Sequence, residues 1–162
     1  MTDILRIFFI VILLTIALAA YFLVIGALFA NRVTKTQNII NQTSGRAFSL
    51  GLVNFLFFGV IALVLLSVAE NTGAFAKGVL TIPALLILAF LSMLLSLGLT
   101  GMVNVLGERL FSDLPSWKRN IWSTVILCFA CALPFVGWFL LLPYVGFVGI
   151  GASILGFFQR NS

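Results

Sequence analysis

Four long segments of this chain contain no charged residue. They are residues 7–31, 47–69, 78–107 and 120–159. An apolar segment of about 18 or more residues is typical of a transmembrane helix, because about 20 helical residues cross ~30 Å of hydrocarbon. Hydrophobic residues make up 62% of the 162 residues and charged residues 8%, too little polar surface for a water-soluble globule. The sequence therefore predicts an all-α integral membrane protein, with one membrane domain over residues 1–162.

The first part of the chain is predicted to form three transmembrane helices, each followed by a polar link. The spans are at about residues 5–30, 48–69 and 79–106. The links are a first link, "NRVTKTQNIINQTSGR" (31–46), a second link, "ENTGAFAK" (70–77), and a third link, "GERLFSDLPSWKRN" (107–120). Basic residues concentrate in the first and third links, and such links face the cytoplasm. The pattern predicts an N-terminus outside and a C-terminus inside.

The last apolar segment is too long for one transmembrane helix. Residues 121–158 would extend about 57 Å as a single helix, more than tilting accommodates in a bilayer. Pro134 removes a helical hydrogen bond and Gly137 can take the positive φ of a turn, so the helix is expected to break there. The two arms, at about residues 120–133 and 138–158, are predicted to pack antiparallel as a helical hairpin. The sequence is compatible with a hairpin that crosses the membrane fully and with one that is re-entrant.

Tryptophan and basic residues predict how the chain meets the bilayer surface. Trp117 and Trp122 are expected to mark the cytoplasmic interface, and Trp138 the interface beside the hairpin tip, because tryptophan is enriched at such interfaces. The net charge of +5 is interpreted as link charge facing anionic lipid headgroups. We therefore expect a lipid bilayer as a partner, and no nucleic acid.

The chain offers few residues for catalysis, metal binding or ion transport. It contains no histidine, and its four acidic residues all lie in the termini or the links. The commonest zinc and haem ligand is therefore missing, and no ionisable residue marks an ion pathway in mid-span. Cys128 and Cys131 have the spacing of a redox pair, but an apolar helix disfavours thiolates, which favours a packing role. We expect no enzymatic activity, no metal and no cofactor.

Two stripes of small or weakly polar residues are predicted to be helix-packing surfaces. The stripe in the third span recurs every fourth residue on one helix face, and consists of Ser92, Ser96, Thr100 and Asn104. The stripe in the last helix recurs at three- and four-residue steps, and consists of Gly146, Gly149, Ser153 and Gly156. Small residues let helices approach closely, while hydroxyls and amides bond between helices. The alternative interpretation of the first stripe is the lining of a polar pathway.

Several short segments carry a resemblance to known proteins. They are "ALFANRV" and "GRAFSLGL" around the first link, "VNVLGERL" at the end of the third span, and "LPFVGWFLLLP" and "GIGASILGFF" in the hairpin. Their order resembles an uncharacterised family of small bacterial multi-pass membrane proteins. It is also similar to membrane regions attached to or encoded near bactofilin-type, polymer-forming proteins. The resemblance implies the bacterial cytoplasmic (inner) membrane, a polymer supplied by a partner, and no known catalytic residue.

Two functions follow from these features. The first is a non-catalytic scaffold or accessory subunit of a larger membrane protein complex, held to other subunits or to itself through small-residue helix faces. The alternative is a small channel or transporter with a re-entrant C-terminal hairpin, in which the hydroxyls of the third span line the path. Co-purified stoichiometric partners would favour the scaffold, and flux through liposomes containing only this chain would favour the channel.

Overall fold

The computed structural model describes residues 2–133 and 135–158, with side chains for 5–73, 76–133 and 135–158. Nearly all of these residues are helical, and no strand occurs among them. The helices are α1 (Thr2–Leu28), α2 (Ala30–Glu70), α3 (Ala74–Leu110), α4 (Ser116–Ala132) and α5 (Leu142–Phe158), with a π-helical turn at Gly137–Leu141 leading into α5. The predicted all-α architecture is confirmed for this part of the chain.

Within the described residues, four helical stretches are long and apolar enough to cross a membrane. They are Leu5–Leu28, Ala30–Glu70, Ala76–Leu110 and Gly137–Phe158. The first predicted span extends two residues beyond the first of these, the second and third spans fall within the next two, and the second predicted hairpin arm falls in the fourth. The other arm, α4, has 17 residues and begins with the polar stretch "SWKRN". Length and composition thus agree with a membrane protein.

The first link is helical, contrary to the sequence prediction of a polar connection. α2 begins at Ala30, and non-helical backbone angles at Thr43 (φ −141°, ψ 46°) kink it between the former link and the apolar span. Buried residues before the kink recur with helical spacing, at Val33, Thr36, Gln37 and Ile40. This spacing is that of an amphipathic helix with one face turned towards the bundle. We call residues 30–42 the amphipathic segment.

The amphipathic segment packs onto α3 and α5. Ile39 and Ile40 belong to the buried apolar cluster, together with Val105 of α3 and Val148 of α5. Arg32 lies over the ring of Phe157, with 4.5 Å between the guanidinium carbon and the ring centroid. The segment is therefore part of the core, although most of its residues are polar.

The second and third links are shorter than predicted. Residues 71–73 alone separate α2 from α3, and α3 continues to Leu110, so that the start of the third link is helical. An ion pair between Arg119 Nη2 and Glu108 Oε1, at 3.8 Å, joins the two helices on either side of the remaining connection.

The predicted break of the last apolar segment is present in the described residues. α4 ends at Ala132 and the π-helical turn begins at Gly137, while Pro134 lies outside the described residues. The positive φ of the turn (69°) belongs to Phe135 and not to Gly137, contrary to expectation. A left-handed conformation costs a residue with a Cβ atom about 1–2 kcal/mol, so the turn is strained at Phe135.

Glycine is required at residue 137 for a different reason: the backbone passes very close to α4 there. A Cβ atom at Gly137 would lie 2.5 Å from the carbonyl oxygens of Ala130 and Cys131. Only glycine lets the π-helical turn pack against the last turn of α4 at this distance.

The two arms contact each other near the break and pack on different neighbours beyond it. α4 packs against α1 and α3, whereas α5 packs against α2 and α3. Between the arms, the described contact is that of the π-helical turn with α4. In the described part of the chain, the antiparallel packing expected of the hairpin is limited to the residues next to the break, because beyond them each arm packs on a separate face of α3.

We expect Gly137→Ala to lower the melting temperature of the protein in mild detergent. The added methyl group would overpack the contact with α4, and overpacking typically lowers the free energy of unfolding by about 1–3 kcal/mol. Gly59→Ala is the matched control, since no atom lies within 4 Å of the Cβ position at Gly59. Glycine inside a helix is about 0.5–1 kcal/mol worse than alanine, so this control should leave the melting temperature unchanged or raise it. Equal melting temperatures for the two variants would contradict the tight return at Gly137.

Candidate functional site

The stripe in α5 brings the backbones of α3 and α5 into direct contact. A Cβ atom at Gly149 would lie 2.9 Å from the carbonyl carbon of Gly98, and one at Gly98 would overlap the backbone of Gly149. Ser153 is buried on the same side, and its hydroxyl donates to the carbonyl oxygen of Leu94 at 3.2 Å. Close approach and a hydrogen bond between helices thus occur together.

The remaining two stripe residues of α5 contact different helices. Gly146 faces Leu95 of α3, whose Cδ1 would lie 3.6 Å from a Cβ atom. Gly156 faces Ile39 and Thr36 of the amphipathic segment, at 3.6 and 3.8 Å. The structure therefore divides the four residues between α3 and α2 and does not place them against a single partner helix.

A second close contact, between α2 and α5, was missed by sequence reasoning. A Cβ atom at Gly51 would overlap the carbonyl of Phe147, and one at Gly151 would overlap the carbonyl of Ala47. Ala47 and Gly51 are four residues apart, which is the small-xxx-small spacing of close helix pairs. That spacing was the available signal in the sequence.

The polar stripe of α3 turns towards α1 and α4. The hydroxyl of Ser96 hydrogen-bonds to that of Tyr21 in α1. Thr100 is fully buried, and its Cγ2 would lie 3.7 Å from a Cβ atom at Gly26, also in α1. Ser92 is exposed, and its hydroxyl donates to a carbonyl of its own helix. The stripe thus contacts α1 at its middle, and its first residue takes no part in that contact.

Asn104 connects the polar stripe to α4. Its Oδ1 accepts a hydrogen bond from Nδ2 of Asn120 at 3.4 Å. Asn120 is itself buried, and its Oδ1 has no hydrogen-bond partner among the described residues. The amide pair places two polar side chains where α1, α3 and α4 meet, since Nδ2 of Asn120 also lies against Gly26.

The three tryptophans expected at membrane interfaces are all exposed. The exposed fractions are 57% for Trp117, 54% for Trp122 and 68% for Trp138. Trp117 lies under the ammonium group of Lys118, at 5.2 Å from the ring centroid. Trp138 belongs to the π-helical turn, beside exposed Phe139. Their position at the bilayer surface stays a prediction.

The thiols of α4 and the acidic side chains are the remaining candidate groups for redox or metal chemistry. Cys128 and Cys131 are free thiols on α4, both partly buried. No group of three or more acidic or thiol side chains that could hold a metal ion is found among the described residues. What the structure offers instead is a set of helix contacts, so these contacts are the candidate site.

Substituting leucine at the backbone contact tests that site. We expect Gly149→Leu and Gly151→Leu each to reduce the recovery of folded protein in mild detergent, because an isobutyl group must force two backbones apart, at a cost of about 1–3 kcal/mol. Gly59→Leu introduces the same side chain where no atom lies within 4 Å of the Cβ position. Monodispersity on size-exclusion chromatography and the melting temperature are the measurements.

Phe147 lies two residues before Gly149 on α5, but a substitution there cannot serve as a control, because its ring packs with Phe48 and Phe55 at centroid distances of 5.8 and 5.5 Å. Gly59→Leu should behave like the wild type. Equal losses for Gly59→Leu and Gly149→Leu would show that bulk alone, and not the contact, determines the outcome.

No family model, no curated protein and no solved structure matches this chain.

Proposed function

We propose that this chain is a non-catalytic, multi-pass scaffold or accessory subunit of a larger membrane protein complex. It acts with other membrane protein subunits or with further copies of itself, and it uses no metal or cofactor. From the resemblance described above, we place it in the bacterial cytoplasmic (inner) membrane. The N-terminus is outside, and the C-terminus and the first and third links are in the cytoplasm.

The observation that supports this proposal is how the polar groups of the bundle are used. Ser96 and Asn104 bond to side chains of α1 and α4, and the hydroxyl of Thr100 donates to the carbonyl of Ser96 at 2.8 Å. Thr100 is also fully buried. Ser96 and Asn104 thus join α3 to other helices, and Thr100 is buried and bonded within its own helix, which weighs against the channel alternative.

The proposed topology is supported by a contact between the first and third links. Nη2 of Arg109 donates to Oδ1 of Asn41 at 3.1 Å, so both basic links lie at one end of the bundle. Residues 71–73 connect α2 and α3 at the other end of these two helices. Basic residues then concentrate at the end that we assign to the cytoplasm.

Cysteine accessibility tests this orientation. In a background with Cys128→Ser and Cys131→Ser, we expect Thr72→Cys to react with a membrane-impermeant thiol reagent in intact cells. Thr34→Cys should react only after the membrane is opened. Thr34 is exposed on the amphipathic segment, so burial does not protect it. Labelling of Thr34→Cys in intact cells would invert the proposed topology.

The proposed role is tested by isolating the full chain in mild detergent and identifying what accompanies it. We expect stoichiometric membrane protein partners, or a stable homo-oligomer, by mass spectrometry. In liposomes that contain this chain alone, ion and solute flux should equal that of empty liposomes. Flux that changes on Thr100→Val substitution would instead establish the channel, because Thr100 lies in the middle of the polar stripe.

A further inference from the structure

A cleft of about 360 Å³ lies between the two arms of the last apolar segment, where they separate to pack on different helices. Its lining comes from α2, α3, α4, α5 and the π-helical turn. The volume falls in the range of about 300–1,000 Å³ that is usual for small-molecule sites. The divergence of α4 and α5 thus creates a space large enough for a ligand.

One end of the cleft is polar and carries a positive charge. Arg109, Asn41 and Ser44 line it together. Arg109 is exposed, and its hydrogen bond of 3.1 Å to Asn41 uses one of the five donors of the guanidinium. The described ion pair at this end joins Arg119 to Glu108 and does not include Arg109. Arg109 therefore has donors left for an anion, and its planar fork fits phosphate oxygens.

The rest of the cleft is apolar. Met102, Leu127 and Leu141 contribute side chains from three different helical elements. Met102 and Arg109 are two turns apart on α3, so the charge and this apolar wall are separated by about 10 Å. A ligand that fills the cleft must combine an anionic group with a hydrocarbon portion.

The polar end of the cleft lies next to the predicted membrane surface. Arg109 follows the charge-free segment of α3 by two residues, and Lys118 and Arg119 open the next helix. Basic pockets between transmembrane helices on the cytoplasmic side bind the headgroups of anionic lipids. The apolar end of the cleft then extends from headgroup depth into the hydrocarbon.

We propose that this cleft binds one anionic phospholipid. Its phosphate accepts hydrogen bonds from Arg109 and Ser44, and part of an acyl chain lies against Met102, Leu127 and Leu141. A zwitterionic phospholipid binds less tightly, because it brings its own positive charge to the guanidinium. The site is independent of the proposed scaffold role and requires only that the chain resides in a bilayer.

Native mass spectrometry of the full chain in mild detergent tests the site, with phosphatidylglycerol and phosphatidylcholine as probes. We expect the wild type to bind one phosphatidylglycerol in preference to phosphatidylcholine. Arg109→Gln should weaken phosphatidylglycerol binding by about tenfold or more, because hydrogen bonds to a charged group are the stronger ones. Lys118→Gln removes an exposed charge from the same link and should change binding by less than about twofold.

A second variant separates the cleft from general surface attraction. Leu127→Trp narrows the apolar end without altering any charge, and should also weaken phosphatidylglycerol binding. Arg109→Lys keeps the charge without the planar fork, and should fall between the wild type and Arg109→Gln. If one of these variants does not fold, judged by its melting temperature without lipid, the remaining variants still test lipid binding in the cleft.

Three results would overturn the proposal. One is equal binding of phosphatidylglycerol and phosphatidylcholine by the wild type. Another is an equal loss of binding for Lys118→Gln and Arg109→Gln, which would indicate diffuse attraction to the basic end of the bundle. The third is inorganic phosphate displacing phosphatidylglycerol at similar concentrations, because the acyl chain would then contribute nothing to binding.

Discussion

Contact between helix backbones is the interaction on which the arrangement of this protein depends. Lipid tails are as apolar as leucine side chains, so apolar area alone gives helices in a bilayer little reason to associate. Close van der Waals approach supplies the attraction instead. Gly98 and Gly149 join α3 to α5, and Ala47, Gly51 and Gly151 join α2 to α5. Because α5 packs against both α2 and α3, α4 packs against α1 and a different face of α3.

Two kinds of interaction hold other helices to α3, one on each side of it. Towards α5, α3 presents Gly98 and a backbone carbonyl. Towards α1 and α4, it presents hydroxyl and amide side chains, of which Ser96 and Asn104 bond to other helices. Packing contacts tolerate no added atom, whereas hydrogen bonds require a specific partner, so the two faces are not interchangeable. The cleft occurs because the arms follow these separate faces.

Local signals in the sequence predict the apolar helices, the break after α4 and the small residues of α5, because apolar length, proline, glycine and small side chains act over a few residues. They do not predict that α4 and α5 separate, which depends on contacts with helices far away in the chain. The amphipathic segment was mistaken for a link because its apolar face has few members, chiefly Val33, Ile39 and Ile40. The cleft could not be predicted from the sequence, because residues that line it, such as Asn41, Arg109 and Leu127, are far apart in the chain.

The position of α5 has a consequence for the order in which the bundle is completed during synthesis. Chains emerge N-terminal end first, and α5 follows the four other helices. Before α5 is made, α1, α3 and α4 can already associate through their polar side chains, while the faces of α2 and α3 that carry Gly51 and Gly98 still lack the helix that covers them. Packing of α5 then covers these faces and places the ring of Phe157 against Arg32. The last of the described helices to be made thus fixes the amphipathic segment, near the start of the chain, in its final place.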